Sequence, residues 1–349
     1  MMLACAASVL AATEWSPQKA AEYLDGRQAV WAAWPHAAKP NGPCLSCHTG
    51  LFYLMARPVL ARALHEDGKA VPEAQLLAAV RSRADAREAA PAGAVPGAGP
   101  VKGVLADRLL ATQAILTPLV LASADRSQGK LSAEAEAAFR RMWSLQLQDG
   151  PDRGGWAWSS FDLDPWEMPD SAFFGAAVAA AATGIAPAGY QDRPEIRANL
   201  AALREYIRSH EAAEPLHNRL TALWAASRLH DLLPDSSRQA ILAQLWRGQG
   251  ADGGFSMAVL GPWKERPAVP PTTESSGYAT AWVAFTTEQA GVKRRDPKLA
   301  RAITWLKTHQ DPDGSWPAIS MNKQRDSAEI PAGFMRDAAT ALAVMALLE

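Results

Sequence analysis

Two cysteines and a histidine stand together near the N-terminus, in the run Cys44-Leu45-Ser46-Cys47-His48. Two thiols separated by two residues and followed at once by an imidazole have the spacing at which haem c is attached to proteins. In such sites both cysteines form thioether bonds and the histidine is an axial iron ligand. The motif therefore predicts covalent haem c on Cys44 and Cys47, with His48 as the metal ligand.

Three other interpretations of this motif stay open. The thiols can form a redox-active pair or a disulfide, they can bind zinc with His217 or Asp170 completing the site, or their spacing can be coincidental. A purely structural disulfide is disfavoured, because closing a two-residue loop restricts the unfolded chain very little. If haem is present, a partner for electron transfer is expected as well.

The first twelve residues, MMLACAASVLAA, form an apolar run of small residues. They resemble the hydrophobic part of a secretory signal, and the alternative is the frayed start of a first helix. We expect residues 1–12 to be a signal remnant and the protein to be periplasmic or otherwise exported. Haem attachment requires such an oxidising compartment, so the two predictions agree.

Further polar residues with catalytic chemistry are scattered along the chain. A histidine, an amide and a fixed positive charge follow one another in His217-Asn218-Arg219, and aspartates stand at positions 170 and 337. Aspartate is also a common N-cap residue at the start of a helix, and capping is the structural alternative for these two residues. The predicted catalytic residues are Asp170, His217, Arg219 and Asp337.

Composition limits the classes of partner. The 349 residues carry 35 basic and 36 acidic side chains, a net charge of −1, and 48% of the residues are apolar. The absence of a basic face argues against nucleic acid. Since no window reaches the roughly 18 uninterrupted apolar residues of a membrane span, no transmembrane segment is predicted.

Three segments repeat one pattern: an amphipathic helix, a glutamine near its end, an Asp/Gly turn and an aromatic residue. They run from Phe139 to Trp156, from Ile241 to Phe255 and from Ala302 to Trp316. The wide gap between the first two contains the segment 195–210, which has the helical spacing but lacks the turn. A repeat at this spacing indicates that one helical unit is stacked on the next.

Each such helix is followed by a more apolar one, at 170–184, 217–233, 275–291 and 335–348. Upstream, the same alternation pairs 17–33 with 51–66 and 73–88 with 101–122. Six pairs of an amphipathic outer helix and an apolar inner helix predict an all-α fold, an (α/α)6 toroid whose inner helices are buried on both sides. An open α-solenoid is the alternative. Residues 13–349 are predicted to form this single domain.

The glutamine-to-tryptophan turns resemble the repeats of squalene–hopene cyclases, oxidosqualene cyclases and prenyltransferase β-subunits. The stretch from Ser275 to Trp316 is most similar, and the resemblance covers roughly residues 131–349. It implies that each glutamine closes onto the backbone of a neighbouring repeat and that the tryptophans are anchors between hairpins. These anchors are Trp143, Trp156, Trp246, Trp305 and Trp316.

The resemblance also implies a substrate class, an apolar, isoprenoid-like molecule held in the central cavity. The residues expected to line that cavity are Trp158, Trp166, Phe173 and Tyr278. One departure concerns the acid motif of the squalene–hopene cyclases: in the matching run from Glu167 to Ala172, Pro169 stands where the proton donor belongs. Two enzyme hypotheses follow, a divergent cyclase or isomerase that uses Asp170 or a neighbour as acid, and a haem-dependent redox enzyme. A non-catalytic lipid-binding or scaffold toroid is the third hypothesis.

Overall fold

A computed structural model of the protein describes residues 15–39, 41–84, 103–187, 189–267, 269 and 273–349. The predicted signal remnant, with Cys5, lies outside the described residues. The structure is 62% helical, and the described residues contain one small sheet, in which β1 (Ala38–Lys39) pairs antiparallel with β2 (Gly42–Pro43). The predicted all-α class is therefore confirmed.

The α-helices of the described residues are as follows, in chain order. They are α1 (Pro17–Ala33), α2 (Gly50–Ala63), α3 (Val71–Ser82), α4 (Val104–Asp125), α5 (Ala133–Ser144), α6 (Ser171–Ile185), α7 (Arg197–His210), α8 (Leu216–Ala226), α9 (Asp235–Arg247), α10 (Met257–Leu260), α11 (Gly277–Gln289), α12 (Pro297–Thr308) and α13 (Phe334–Leu348). Apart from the single-turn α10, they form six pairs of an outer and an inner helix.

The inner helices are α2, α4, α6, α8, α11 and α13, and each packs on the next in that order, with α13 returning to α2. Their composition explains this position. Helix α6 buries twelve of its fifteen residues, half of them alanine, whereas the outer helix α7 buries four of fourteen, on one face. A helix that is apolar all round must be covered on both sides, and a closed inner ring does this. The predicted α/α toroid is confirmed.

The repeated glutamines hold the ring together. In each repeat the side-chain amide donates both to the carbonyl of the turn glycine and to a carbonyl at the start of the next outer helix. These bonds join Gln146 to Gly154 and Asn199, Gln249 to Gly253 and Lys298, and Gln310 to Gly314 and Ser16, all at 2.8–3.0 Å. Because Ser16 caps α1, the third pair of bonds closes the ring from the last repeat to the first helix.

Three of the tryptophans named above illustrate the predicted anchors. Trp156 and Trp316 are almost fully buried, and their indole N–H groups donate to Met142 and Leu306 carbonyls of the preceding outer helices at 2.7 and 2.8 Å. Trp305 of α12 instead donates to the Asp252 carboxylate, in the turn of the preceding repeat, at 3.0 Å. Each buried indole thus satisfies its N–H within the hairpin stack, as buried tryptophans generally must.

Replacing Gly314 by alanine is expected to lower the free energy of unfolding by about 2–3 kcal/mol more than replacing Gly291. Both glycines have a left-handed backbone, with φ of 92° and 96°. An added Cβ at Gly314 would lie 2.2 Å from the Lys19 carbonyl oxygen of α1, whereas nothing lies within 4 Å of one at Gly291. Urea unfolding of both variants measures the difference, and equal losses would show that α1 does not pack on this turn.

Two helical stretches, Val104–Gln128 and Ile330–Leu348, are long and apolar enough to cross a membrane by length and composition. They coincide with the inner helices α4 and α13, and 50% and 67% of their apolar windows are buried inside the fold. Core helices of a closed ring pass the same test, so their position in the fold accounts for their composition.

Candidate functional site

The starts of the inner helices meet at one end of the toroid, which we call the mouth. Thr49, before α2, bonds to Asp337 in the first turn of α13. His217 in the first turn of α8 bonds to Tyr278 in the first turn of α11, and Tyr278 in turn accepts from Trp166, in the loop before α6. Segments far apart in sequence therefore bring their polar groups together here.

The Cys-x-x-Cys-His run forms the entry to α2. The Ser46 hydroxyl accepts from the backbone N–H groups of Thr49 and Gly50 at 3.1 and 2.8 Å, so it satisfies two donors of the first turn. Trp31 of α1 holds the start of the motif by donating to the Cys44 carbonyl at 3.0 Å. Ser46, between the cysteines, thus satisfies a helix end, which is a structural role for part of the motif.

His48 is held in one orientation by a chain of two hydrogen bonds. Its Nδ1 lies 2.9 Å from the Thr49 hydroxyl oxygen, which lies 2.7 Å from Oδ2 of Asp337. Since the Asp337 carboxylate accepts, Thr49 donates to it and accepts from His48, which assigns the ring proton to Nδ1. Nε2 is then a lone pair without a hydrogen-bond partner among the described residues. Histidines that bind metals or substrates are commonly oriented in this way.

Asp337 is the centre of this chain and is 1% exposed. It also accepts from the Tyr23 hydroxyl at 3.0 Å and from Nε and Nη2 of Arg27 at 2.7 and 3.1 Å, both on α1. Burial raises the pKa of Asp337, and the Arg27 guanidinium and the hydroxyl donors oppose that rise. A buried carboxylate with this many donors joins α1, α2 and α13 firmly.

Glu167 reaches the motif from the loop before α6, where its carboxyl contacts the Cys47 thiol. The backbone N–H of Glu167 donates to the Leu163 carbonyl at 2.9 Å. The Asn322 side chain holds the same loop by two bonds to the backbone of Asp164: it accepts from the Asp164 N–H at 2.8 Å and donates to the Asp164 carbonyl at 2.6 Å. The Trp158 indole fixes the neighbouring residue by donating to the Trp166 carbonyl at 2.7 Å. These bonds present the Glu167 side chain toward the motif.

Cys47, His48, Trp166, Glu167 and Phe334 form what we call the Glu167 cluster. The Cys47 thiol donates to Oε1 of Glu167 at 3.5 Å, and the His48 ring stacks on Phe334 at 3.6 Å and lies 6.4 Å from the Trp166 ring. Glu167 and His48 are half-buried, so both keep contact with solvent. The cluster therefore combines a carboxyl, an imidazole and a thiol between aromatic rings.

Burial shifts the titration of these groups. It raises the pKa of Glu167 to about 7, against the opposing effect of the Cys47 thiol that donates to it. Burial, with a smaller contribution from the Arg27 charge, lowers the pKa of His48 to about 3. Near neutral pH the carboxyl is partly protonated and the imidazole is neutral. Such opposed shifts are typical of sites at which protons are exchanged.

A buried line of hydrogen bonds runs inward from the cluster. The Trp166 indole donates to the Tyr278 hydroxyl at 3.1 Å, which donates to Nε2 of His217 at 2.8 Å. Nδ1 of His217 then donates to Asn218 at 3.1 Å, and Asn218 donates to the Glu214 carboxylate at 2.8 Å. Burial lowers the pKa of His217 to about 4 and raises that of Glu214 to about 7. His217 is thus a neutral, fully bonded core histidine.

The four aromatic residues predicted to bind substrate are buried in packed positions. Trp158, Trp166 and Tyr278 are 1–5% exposed and are joined through the bonds just described. Phe173 lies 6.3 Å, between ring centroids, from Tyr206 of the outer helix α7, so it packs between helix layers. The structure therefore brings three of the four together across the upper part of the ring.

The two remaining predicted catalytic residues lie apart from the Glu167 cluster. Asp170 precedes α6, is exposed and makes no side-chain cap bond. Arg219 donates to the Glu211 carboxylate at 2.6 Å, just before its own helix α8, and this ion pair stabilises that hairpin. Sequence reasoning missed Thr49, Arg27 and the role of Glu167. The signal for Thr49 was a hydroxyl next to the motif, and the signal for Glu167 was a carboxyl at the first position of the cyclase-like acid run.

An open cavity of about 620 Å³ lies at the mouth; it adjoins the loop that carries Glu167, although no residue of the Glu167 cluster lines it. Its walls include Met257, Trp263 and Met321, and the Trp263 ring lies 5.8 Å from the His217 ring. Arg266, also in the wall, pairs at 3.4 Å with Asp164 in the loop that carries Glu167. The cavity has largely apolar walls and the size of an ordinary small-molecule site.

The described side chains do not fit covalent haem as they are arranged. A porphyrin bonded to Cys47 would occupy the position of the Glu167 carboxyl, and the Phe334 and Trp31 rings lie 3.6 and 5.0 Å from the His48 ring. The two cysteines are free thiols. Among the described residues no three His, Cys, Asp or Glu side chains are grouped to hold a metal ion, and His217 lies against Tyr278. Haem and zinc stay predictions from the motif.

Both thiols are poorly ionised. Burial raises the pKa of Cys44 to about 11, although the nearby Lys39 and Arg83 charges lower it, and burial followed by the Glu167 charge raises the pKa of Cys47 well above its ordinary value. The thiolate is the form that reacts with electrophiles, so neither cysteine is activated in this arrangement.

In a Cys5→Ser background, we expect two thiols per chain to react with a disulfide reagent in denaturant. In the native protein at neutral pH, Cys44 should react roughly 300-fold more slowly than free cysteine, because its thiolate fraction is lower by that factor. Colorimetric thiol counting measures both quantities. No titratable thiols in denaturant, together with a haemochrome spectrum, would instead establish the haem predicted from the motif.

Comparison with known proteins gives the fold. No protein-family model and no curated protein matches the chain. Among solved structures, an inactive variant of the alpha-1,6-mannanase GH76A of Salegentibacter sp. HEL1_6 in complex with alpha-1,6-mannotetrose is 10% identical, covers 96% of this chain and 100% of its own, and has a TM-score of 0.54. A glycosidase variant in complex with glucose is 14% identical, covers 95% and 98%, and has a TM-score of 0.50. At this identity the likeness shows a shared α/α toroid alone.

Proposed function

We propose that the protein is an acid–base enzyme in which Glu167 donates a proton to an oxygen atom of an otherwise apolar, isoprenoid-like substrate. The observation that carries the proposal is the half-buried Glu167 carboxyl, whose pKa is raised to about 7 and which accepts from the thiol of Cys47, the residue before His48. A carboxylic acid that is partly protonated at neutral pH is a suitable general acid.

The strength of this acid decides between two kinds of protonation. Squalene–hopene cyclases, which the repeats resemble, protonate an alkene with an unusually strong acid, and Pro169 occupies that donor's position here. A carboxyl with a pKa of about 7 is a weak acid. It matches the protonation of an epoxide, ether or alcohol oxygen, where the leaving or opening oxygen is far more basic than an alkene. The proposed substrate therefore carries oxygen at the reacting position.

The neighbouring residues supply orientation. Nε2 of His48 is an acceptor for a substrate hydroxyl or a water molecule, since Thr49 and Asp337 hold the ring by Nδ1 and no described residue bonds to Nε2. When Glu167 has given up its proton, the Cys47 thiol donates to the resulting carboxylate. Apolar parts of the substrate would contact Phe334 and the walls of the 620 Å³ cavity at the mouth.

Export and covalent haem are proposed on sequence patterns alone. The apolar run of residues 1–12 supports a periplasmic or otherwise exported protein. Covalent haem, with a partner for electron transfer, rests on the spacing of Cys44, Cys47 and His48, and none of the proposed proton-transfer steps depends on it.

A non-catalytic toroid is the second candidate, and one observation favours it. Trp166, Tyr278 and His217 pack against one another across the upper part of the ring, where the sequence predicted a substrate cavity. A centre filled by side chains is what a scaffold or carrier needs, so the substrate of an enzyme would have to bind at the mouth.

The test is incubation of the purified protein in heavy water with three probes: oxidosqualene, squalene and alpha-1,6-mannotetraose. Mass spectrometry identifies products and deuterium. We expect conversion of oxidosqualene alone, lost about 100-fold or more in Glu167→Gln. The matched control is Glu205→Gln, an exposed residue of α7. Hydrolysis of the mannan oligosaccharide would assign the site to glycosides, and no conversion of any probe by the folded protein would favour the non-catalytic toroid.

A further inference from the structure

A second cavity, of about 560 Å³, lies at the end of the toroid opposite the mouth. Every inner helix contributes to its wall near its C-terminal end, which places the cavity on the axis of the ring. The contributing apolar residues, one from each helix, are Val59, Val120, Ile185, Trp224, Phe285 and Met345. Such a lining favours the apolar body of a ligand.

Three arginines surround the cavity: Arg62 of α2, Arg126 after α4 and Arg228 after α8. Nε of Arg228 is buried without a hydrogen-bond partner among the described residues, while another nitrogen of the same group donates to Gln289. Arg62 and Arg126 form no hydrogen bond or ion pair with the described part of the chain. A buried guanidinium donor without an acceptor costs free energy unless a ligand supplies one.

The acidic groups at this cavity do not balance the arginines. Lys69 lies 3.7 Å from Glu73, so this pair is neutral as a unit. Glu349 faces all three arginines, and burial raises its pKa while their charges lower it. Three positive charges therefore face one carboxyl, which leaves an excess of positive charge at the edge of an apolar cavity.

Arginines at this end of the ring also have a structural use, because the inner helices present their free carbonyl groups here. Arg294 illustrates it by donating to the carbonyl oxygens of Ala346 and Leu347 at 2.8 and 3.2 Å. Arg62, Arg126 and Arg228 make no such bond to a main-chain carbonyl of the described residues, and Arg228 bonds instead to the Gln289 side chain. The guanidinium groups of Arg62 and Arg126, and Nε of Arg228, therefore remain available to a ligand.

We infer that this cavity binds a single-chain amphipathic anion, a long-chain carboxylate, with its tail among the six apolar side chains and its head at the three arginines. Guanidinium groups are the favoured partners of carboxylates, and the apolar walls exclude a small hydrophilic anion as the main ligand. The site is separate from the Glu167 cluster and independent of the proposed reaction.

Isothermal titration with dodecanoate, below its micelle concentration, tests the inference on the whole protein. We expect saturable binding of dodecanoate, binding of dodecanol weaker by about tenfold or more, and no binding of acetate, because head and tail both contribute. Arg228→Gln should weaken dodecanoate binding about tenfold. Ala124→Trp, which places a large ring in the cavity, should abolish it.

Arg295→Gln is the matched control, because Arg295 is an exposed arginine in the loop after α11 and does not line the cavity. Thermal melts verify that each variant is folded. The inference is overturned if dodecanol binds as tightly as dodecanoate, if acetate competes fully, or if the folded Arg228→Gln and Ala124→Trp proteins bind dodecanoate like wild type.

Discussion

Replacing Asp337 by alanine is expected to lower the free energy of unfolding by about 3–5 kcal/mol. The side chain is 1% exposed and accepts from Tyr23, Arg27 and Thr49, which lie on or beside two other helices of the ring. Its removal leaves the Arg27 guanidinium without its counter-charge and two hydroxyl groups without their acceptor. Urea unfolding followed by circular dichroism measures the loss.

Asp235→Ala is the control for this experiment, since Asp235 is an exposed residue in the first turn of the outer helix α9 and should change stability by less than about 0.5 kcal/mol. A double variant, Arg27→Met with Asp337→Leu, should recover much of the loss, because it removes both charges together. An Asp337→Ala protein that unfolds like the control would show that the bonds to α1 and α2 do not stabilise the ring.

The turnover of the proposed oxygen-bearing substrate is expected to fall about tenfold for each pH unit above neutrality. The protonated Glu167 is the active form, and its pKa is raised to about 7, so the active fraction declines as the pH rises through that value. Measurement of kcat/KM between pH 5 and 9, with oxidosqualene as probe, gives the profile. The residual activity of Glu167→Gln should lack this alkaline limb, the decline of kcat/KM above neutral pH.

The Cys47→Ala variant tests whether Glu167 governs this pH profile, because the direction of the expected shift is known. The thiol donates to the Glu167 carboxylate and thereby lowers its pKa, so removal of the thiol should move the limb of the profile to higher pH. Cys44→Ala, beside it in the motif but without a bond to Glu167, should leave the limb in place. A limb that stays fixed in Cys47→Ala would show that a group other than Glu167 governs the profile.

The architecture was predictable because its determinants are local. The spacing of apolar residues distinguishes an outer helix such as α7 from an inner helix such as α6, and each pair spans only a few tens of residues. The repeated glutamine, turn glycine and aromatic residue are likewise adjacent in sequence. Helix boundaries were less accurate: the apolar run 217–233 continues beyond α8, which ends at Ala226, since apolar residues in the following turn are buried as well.

The chemical neighbourhood of the motif was not predictable in the same way. From the sequence, Cys44, Cys47 and His48 form a self-contained group whose spacing indicates haem. In the fold, the Cys47 thiol contacts Glu167, which is 120 residues away, and His48 is oriented through Thr49 by Asp337, 288 residues beyond Thr49. Asp337 is predicted from the sequence as a catalytic residue. In the structure it accepts from Thr49, which orients His48, and from Tyr23 and Arg27 of α1.

The sequence by itself determined the fold class, the six helix pairs and the order of outer and inner helices, because hydrophobic burial acts on patterns a few residues long. Only the tertiary structure decided which polar side chains share a site. Closing the ring brings the starts of α2, α6, α11 and α13 to one mouth, and there burial sets the pKa of Glu167 and His48 in opposite directions. Such shifts depend on desolvation and on partners that are distant in sequence, and no spacing along the chain encodes them.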